Sequence, residues 1–333
     1  MFRRTTLFGV CLTLIFLVLV LWKIDLDKLS ASLAAANYWY LLPASLVTFA
    51  GYVLRTLRWG RMLRPTHAVA VRQLFPILMI GFMANNVLPA RAGELVRAYV
   101  LHRRASVSKT LGLATIGLER LLDGLTLVIL LGLLSLRFPL PEWGTGLARS
   151  AGVLFLGTAV LVGLLLLRPD TASDFVAWLA DRLPRRIARR SNAMFEAVLL
   201  GLQSVRRRRA LFALAVLSVL VWLAEGTSYF LIVRGFDLAL PAGAMVLAPL
   251  FLLVVVNLGI MLPSAPGYVG TFQAFAVLAL SAFGVQREAA LGVGVISHGM
   301  QYLLVTGLGL LFLWRSRLSL EQISAQEGAR SAA

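Results

Sequence analysis

LFPILMIGFMANNVLPARAGELVRAYVL, residues 74–101, is the stretch on which the reading of this chain turns. An apolar run from Leu74 to Leu88 stops at Pro89. A second run, Ala92 to Leu101, leads into Arg103, Arg104 and Lys109. Were the first run a full membrane crossing, the apolar segments that follow would strand basic clusters on the outer side, against the bias that keeps Lys and Arg in cytoplasmic loops. A re-entrant hairpin that enters and leaves on the cytoplasmic side removes the conflict, with Pro89 and Gly93 at its bend.

The flanking sequence sets the solvent. Of 333 residues, 59% are hydrophobic and 14% charged, far more apolar than an ordinary soluble domain. Apolar stretches near the roughly 20 residues a membrane helix needs recur from Thr5 to Leu313. The run Thr5 to Trp22 follows Arg3 and Arg4 without a convincing cleavage site and reads as a retained first span. It holds Cys11, the only cysteine, so neither a disulfide within the chain nor a cysteine metal site is expected. The net charge of +17 sits in short segments beside apolar spans. That arrangement points to anionic lipid headgroups as partners rather than nucleic acid.

The charge bias orients the rest. Arg55, Arg58, Arg61, Arg64 and Arg72 are read as a cytoplasmic loop after a span over Tyr40 to Leu54. Leu111 to Leu134 crosses outward, the loop Arg137 to Arg149 lies outside, and Ala151 to Leu167 returns. Residues 168–210 are the most basic, and Phe175, Trp178, Leu179, Leu183, Met194, Phe195, Val198 and Leu199 recur at helical spacing, as in an interfacial amphipathic helix pair. Leu211 to Val233 crosses again, and Ala290 to Leu313 ends at Arg315 and Arg317, which places both termini in the cytoplasm. Met245 to Leu262 and Thr271 to Phe283 then form a hairpin inserted from the outer side. Met245 to Leu262 is also long enough to span, so counts from six to eight crossings remain open.

The two hairpins echo one another. Leu88, Pro89 and Gly93 spell L-P-x-x-x-G, and Leu262, Pro263 and Gly267 repeat it, with Asn85, Asn86 and Asn257 nearby. Inverted repeats with broken helices mark many transporters, because freed backbone groups hold substrate near the bilayer midplane. The expected fold is all-α: a single polytopic membrane domain over residues 1–333, of about six to eight transmembrane helices with two oppositely inserted re-entrant hairpins. The first repeat covers about 40–135, a cytoplasmic amphipathic linker about 168–210, and the second repeat about 211–314.

Arg91, Glu94, Arg97, Glu119, Arg120, Asp123 and Glu225 fall inside apolar stretches. Each costs roughly 2.5 to 3.5 kcal/mol if left unpaired at a lipid-facing helix centre, so they face one another, a cavity or water. Arg91, Glu94 and Arg97 are spaced by three and leave one net positive charge, which suits an anion. Glu119 and Asp123 share a helix face, with Arg120 about 100° around it. These acids either pair with the hairpin arginines or carry protons, as does Glu225, the lone charge of its span. Buried ion pairs that only fix packing are the plainer alternative. His67 and His102 read as surface residues, and His298, near Gln301, as a helix-to-helix hydrogen bond; no metal or cofactor site is indicated.

At these residues the sequence resembles the lysylphosphatidylglycerol synthase transmembrane-region family. The matching pieces are R-T-L-R-W with Arg55, Arg58 and Trp59, the run N-V-L-P-A-R-A-G-E-L-V-R over Asn86 to Arg97, E-R-L-L-D with Glu119, Arg120 and Asp123, and P-S-A-P-G-Y-V-G over Pro263 to Gly270. An acidic residue looks typical of the family shortly after that glycine-rich turn, where this chain has Gln273. The resemblance implies a lipid-translocating module in a bacterial inner membrane, a flippase rather than an enzyme, with no aminoacyltransferase domain expected after the last span. Relatives tied to hopanoid or polyprenyl-linked glycan pathways widen the range of lipids. On this reading Arg58, Asn86, Pro89, Arg91, Gly93, Glu94, Arg97, Pro263, Pro266 and Gly267 line a headgroup site, with Arg91 and Arg97 on phosphate and Glu94 orienting them. Glu119, Arg120, Asp123 and Glu225 serve proton coupling or ion pairing. The alternatives are a membrane enzyme acting on a lipid carrier, with Glu119 or Asp123 as general base, and a scaffold of a lipid-modifying complex.

Overall fold

The structure, a computed structural model, describes residues 18, 24–88, 92–167, 182, 185–261 and 266–316, with the side chains of 185–194 excepted. The first span with Cys11, Pro89, Arg91, Pro263, Arg317, the 168–181 part of the linker, and the side chains of Leu183 and Met194 lie outside them. All regular structure among the described residues is helical. The α-helices are α1 (Leu26–Ala35), α2 (Leu41–Leu63), α3 (Val71–Val87), α4 (Gly93–Ala105), α5 (Lys109–Ser135), α6 (Glu142–Leu167), α7 (Arg185–Arg206), α8 (Arg208–Gly235), α9 (Ala244–Gly259), α10 (Thr271–Ser281) and α11 (Arg287–Ser316). Short 3-10 turns sit at Tyr38–Tyr40 and Pro266–Tyr268.

Among the described residues four helices are long and apolar enough to cross a membrane: Tyr38–Leu63, which contains α2, then α6, α8 and α11. Their outward faces are bare hydrocarbon, with Val153, Val160, Leu167, Phe212 and Leu303 exposed, as lipid-facing surface must be. Helix α5 is 27 residues long but carries Glu119, Arg120 and Asp123 mid-way. Helix α9, at 16 residues, is shorter.

Two boundaries differ from the sequence reading. The expected loop after Leu54 does not exist, because α2 continues to Leu63 and buries Arg55 and Arg58. Carboxylates on α5 and α8 neutralise these arginines, so the helix has no reason to end where its charges begin. The loop expected over Arg137 to Arg149 is shorter, since α6 starts at Glu142.

Contacts define the directions. Helices α2 and α8 run antiparallel, with Gly51 against Ala224 and Thr48 against Ser228. Helices α3 and α4 are also antiparallel: Gly81 lies on Arg97, Asn85 on Gly93, and Gln73 donates to the Arg104 carbonyl. Their open end meets the end of α11, where Arg104 donates to the Ser316 carbonyl at 3.2 Å. The second pair, α9 and α10, matches Gly259 to Phe275 and Phe251 to Phe283. Its open end lies at the opposite end of the molecule, where Phe138 stacks on Phe283 at 4.3 Å and Trp143 meets Phe251.

Helix α11 serves both pairs. Its first half packs on α10 through Gly294 and Ala276, and its second half on α3 through Gly309 and Met83. The 30 residues of α11 extend about 45 Å, and the bends of the two pairs meet near its middle, where Gly267 lies against Tyr302 and the Asn86 carbonyl. One apolar core, with Phe251, Val254 and Leu280, fills the end of α9 and α10; the other, with Trp59, Leu74, Ile80 and Leu101, fills the end of α3 and α4. The linker helix α7 seats Leu202 and Val205 in this second core, beside α5.

Candidate functional site

Between the two cores lies a layer of charge. One turn of α2 separates Arg55 from Arg58, and antiparallel packing on α8 brings Arg55 to Glu225 at 2.6 Å. Arg55 also reaches Asp123 of α5 at 3.4 Å. Arg58, with no exposed surface, holds the other Asp123 oxygen at 2.8 Å and donates to Ser218 Oγ at 2.9 Å. Arg97 of α4 grips both Glu119 oxygens at 3.0 and 2.8 Å, the two-pronged geometry that guanidinium and carboxylate favour. Its plane lies 3.7 Å over the Trp59 ring, whose Nε1 donates to Thr115 Oγ1 at 3.1 Å.

Arg120 is the shared member. It faces Glu94 at 3.4 Å, Glu119 at 3.2 Å and Asp123 at 3.6 Å. Its side chain is 31% exposed and that of Glu94 34%, whereas those of Arg97 and Glu119 are 3% and 0%. Four guanidinium groups thus meet four carboxylates, Glu94, Glu119, Asp123 and Glu225. Mutual neutralisation is what lets them lie between apolar cores, because an unpaired charge there costs several kcal/mol.

Beside this network is a cavity of about 160 Å³. Arg55, Glu94, Arg120, Asp123 and Glu225 form its charged wall. Asn85, Asn86, Asn257, His298 and Gln301 form a neutral polar wall, and Tyr52, Phe82, Trp222, Tyr268, Phe272 and Tyr302 supply aromatic rings. Asn86 donates to Thr306 Oγ1 at 3.0 Å, and the Gly93 N–H donates to Asn85 Oδ1 at 2.9 Å. Both asparagines of the first bend therefore fasten neighbouring backbone or side chain.

The second bend has its own clamp. Gln273 Oε1 accepts the Gly270 N–H at 2.8 Å, which turns its Nε2 toward His298 Nδ1 at 3.0 Å. That amide donates, so Nδ1 accepts and the ring proton sits on Nε2. His298 also stacks on Phe272 at 4.6 Å between centroids. The hydrogen bond expected of His298 forms, with Gln273 of α10 as the partner. Where an acid was expected to be typical, this chain has a neutral amide that locks bend, helix and imidazole together.

The sequence-derived site is thus rearranged. Glu94, expected to orient Arg91 and Arg97, faces Arg120, and Arg97 pairs with Glu119; Arg91 lies outside the described residues. Arg58 and Arg97 are buried behind the cavity and do not line it. Gly93 is packed against the Gly81 carbonyl and Asn85, and Gly267 adopts φ +71 against Tyr302, conformations and spacings only glycine meets without strain. Pro266 opens the 3-10 turn that delivers Tyr268 to the cavity. Arg55, Trp222, Asn257 and Gln301 were not singled out for the site from sequence. A signal was present for Arg55, three residues before Arg58 within R-T-L-R-W. Asn257 was marked only as a neighbour of the second break and Gln301 only as a neighbour of His298, and Trp222 looks like an ordinary span residue until the helices are assembled. Among the described residues there is no cluster of His, Cys, Asp and Glu able to hold a metal ion.

The family model described as the lysylphosphatidylglycerol synthase TM region matches residues 6–309. The chain belongs to that family. Relatives of this lysylphosphatidylglycerol synthase TM-region protein include the glycosyltransferase AglD of Haloferax volcanii, 26% identical over 90% of this chain and 52% of the relative. The chain therefore spans about half the length of AglD. It is also 26% identical to a UPF0104 membrane protein of Methanothermobacter thermautotrophicus, over 85% of this chain and 87% of the relative. A second UPF0104 protein of that organism is 24% identical over 90% of both chains. The family and the four apolar helices together make this a multi-pass membrane protein.

Proposed function

We propose that this protein moves a lipid with an anionic headgroup, a phospholipid or a lipid-linked glycan, between the leaflets of a bacterial-type inner membrane. The observation that carries the reading is the central cavity, bounded by the bends of two helix pairs that approach from opposite ends, with the partly exposed Arg120 in its charged wall. Such a site midway through the bilayer suits a headgroup in transit. In this reading α3–α4 and α9–α10 are re-entrant hairpins. Helix α2, the first hairpin and α5 form one repeat; α8, the second hairpin and α11 form its inverted copy. The antiparallel packing of α2 on α8 supports that symmetry. The arginine-rich end, with Arg61, Arg64, Arg103, Arg104, Arg206 and Arg315, is cytoplasmic.

A phosphate entering the cavity competes with Glu94 for Arg120, and with Glu225 for Arg55. The Arg97–Glu119 pair behind them holds the scaffold. Glu225, displaced from Arg55, is the carboxylate this reading assigns to proton coupling, while Asp123 stays paired with Arg58. Arg91, Pro89 and Pro263 are assigned to the same headgroup site from their places in the sequence alone. A lipid-linked glycan draws support from the relative AglD being a glycosyltransferase by name and from the amide and aromatic wall, since such groups suit hydroxyl-rich rings. A second reading, a membrane enzyme acting on a lipid carrier, draws on the same name. Against it, Glu119 and Asp123 are both tied to arginines, a poor setting for a general base.

The test is leaflet exchange of fluorescent phosphatidylglycerol and polyprenyl phosphate in proteoliposomes. Wild type is expected to exchange at least one of them. Arg120→Gln is expected to slow exchange by at least about tenfold, the cost of roughly one charge-assisted hydrogen bond. Folded wild-type protein that exchanges neither lipid overturns the transport reading.

A further inference from the structure

A second concavity lies beyond the central one along α2, at the arginine-rich end, where α2 finishes and α7 gives way to α8. It is a groove of about 1070 Å³ lined by Arg61, Arg64, Arg206, Arg207 and Arg209 with Gln203. Among the described residues no carboxylate lines it, and its five arginines form no ion pair. Membrane charge bias explains why arginines gather at this end. It does not explain their convergence on one hollow, since Arg72, Arg103 and Arg315 share the same end and stand outside it.

Two further features suit an anion. Helix α8, 28 residues long, begins at the groove with Arg207 as an N-cap that supplies no side-chain hydrogen bond. The positive end of the α8 dipole therefore lies at the groove, offset in part by the C-terminus of α7 at Arg206. Leu211 and Phe212, next along α8, are exposed to the apolar surroundings, whereas Leu214 closes the groove floor. The groove thus opens where headgroups meet hydrocarbon.

We propose that this groove binds a phosphate-bearing anion of at least two negative charges, through paired guanidinium groups. The chemistry is common to a lipid headgroup phosphate and a soluble diphosphate. It stands independently of lipid movement through the central cavity.

The experiment titrates inorganic pyrophosphate onto the detergent-purified full chain, and separately measures phosphatidic acid binding in phosphatidylcholine nanodiscs. Both use about 150 mM salt, where exposed charges beyond roughly 8 Å are screened. The groove variant is Arg64→Gln/Arg207→Gln/Arg209→Gln, and the control is Arg72→Gln/Arg103→Gln/Arg315→Gln, equal in charge removed. The groove variant is expected to weaken saturable binding of either probe by at least about tenfold, with the control within about twofold. Phosphatidic acid binding displaced by pyrophosphate assigns the site to a lipid headgroup; pyrophosphate binding alone assigns it to a soluble anion; both support the proposal. Equal weakening by the two variants, or no saturable binding of either probe, overturns it. Should the triple variant unfold, Arg207→Gln alone is expected to weaken binding by about threefold or more, and an unchanged affinity overturns the proposal equally.

Discussion

Arg97 and Glu119 show at the level of single residues why these charges are tolerated. Each is buried, and each has the other in two hydrogen bonds. Removing Arg97 takes both of its bonds from Glu119 and leaves that carboxylate only the contact with Arg120 at 3.2 Å, in a medium that cannot solvate it. Arg97→Leu is therefore expected to lower stability by about 3–5 kcal/mol, measured as a fall in melting temperature in detergent. The double variant Arg97→Leu/Glu119→Leu is expected to recover part of that loss, because no orphan charge remains. Equal destabilisation by the single and double variants sinks the account. The sequence exposed the presence of charges at membrane depth, and the requirement that they be neutralised. It did not expose the pairings. Glu94 sits one turn from Arg97 in the chain yet faces Arg120 of another helix, since reach across a helix interface depends on side-chain direction and packing, not on spacing alone.

At the level of elements, glycines set how closely helices approach, the usual device where lipid offers no hydrophobic drive for association. A Cβ at Gly309 would overlap Met83 and press on the Met79 carbonyl, and one at Gly93 would strike the Gly81 carbonyl. Backbone cannot yield as a flexible side chain does. Gly309→Val is expected to push α11 off α3, destabilise the protein by about 1–3 kcal/mol and widen the junction of the two bends. Gly307, which faces open space, is the matched control: Gly307→Ala is expected to leave melting temperature unchanged. Helix limits were largely legible, because Pro89, Pro263 and the basic clusters punctuate apolar runs. The end of α2 was not, since Arg55 and Arg58 mimic a cytoplasmic loop until their carboxylate partners are in place.

Across the whole molecule, the two helix pairs open toward opposite ends, and that is testable without any ligand. In a chain carrying Cys11→Ser, a cysteine at Arg103 marks the open end of the first pair, and one at Gln286 lies just past the end of the second. Both positions are exposed. A membrane-impermeant maleimide is expected to label Arg103→Cys only from the cytoplasmic side and Gln286→Cys only from the other. Labelling of both from one side contradicts the oppositely inserted arrangement. Composition and charge bias alone determined that the chain is helical, lives in a membrane and presents its arginines at one end, because transfer of apolar surface and of loop charge is settled locally, segment by segment. The L-P-x-x-x-G echo marked where helices break. Only the tertiary structure decided that the two breaks meet against the middle of α11, that Arg55 and Trp222 line the same cavity as Asn257 and Gln301, and that Arg120 and Glu94 are the most exposed charges of its wall. Those facts depend on which faces of distant helices pack together, and long-range packing is written in no single segment of the chain.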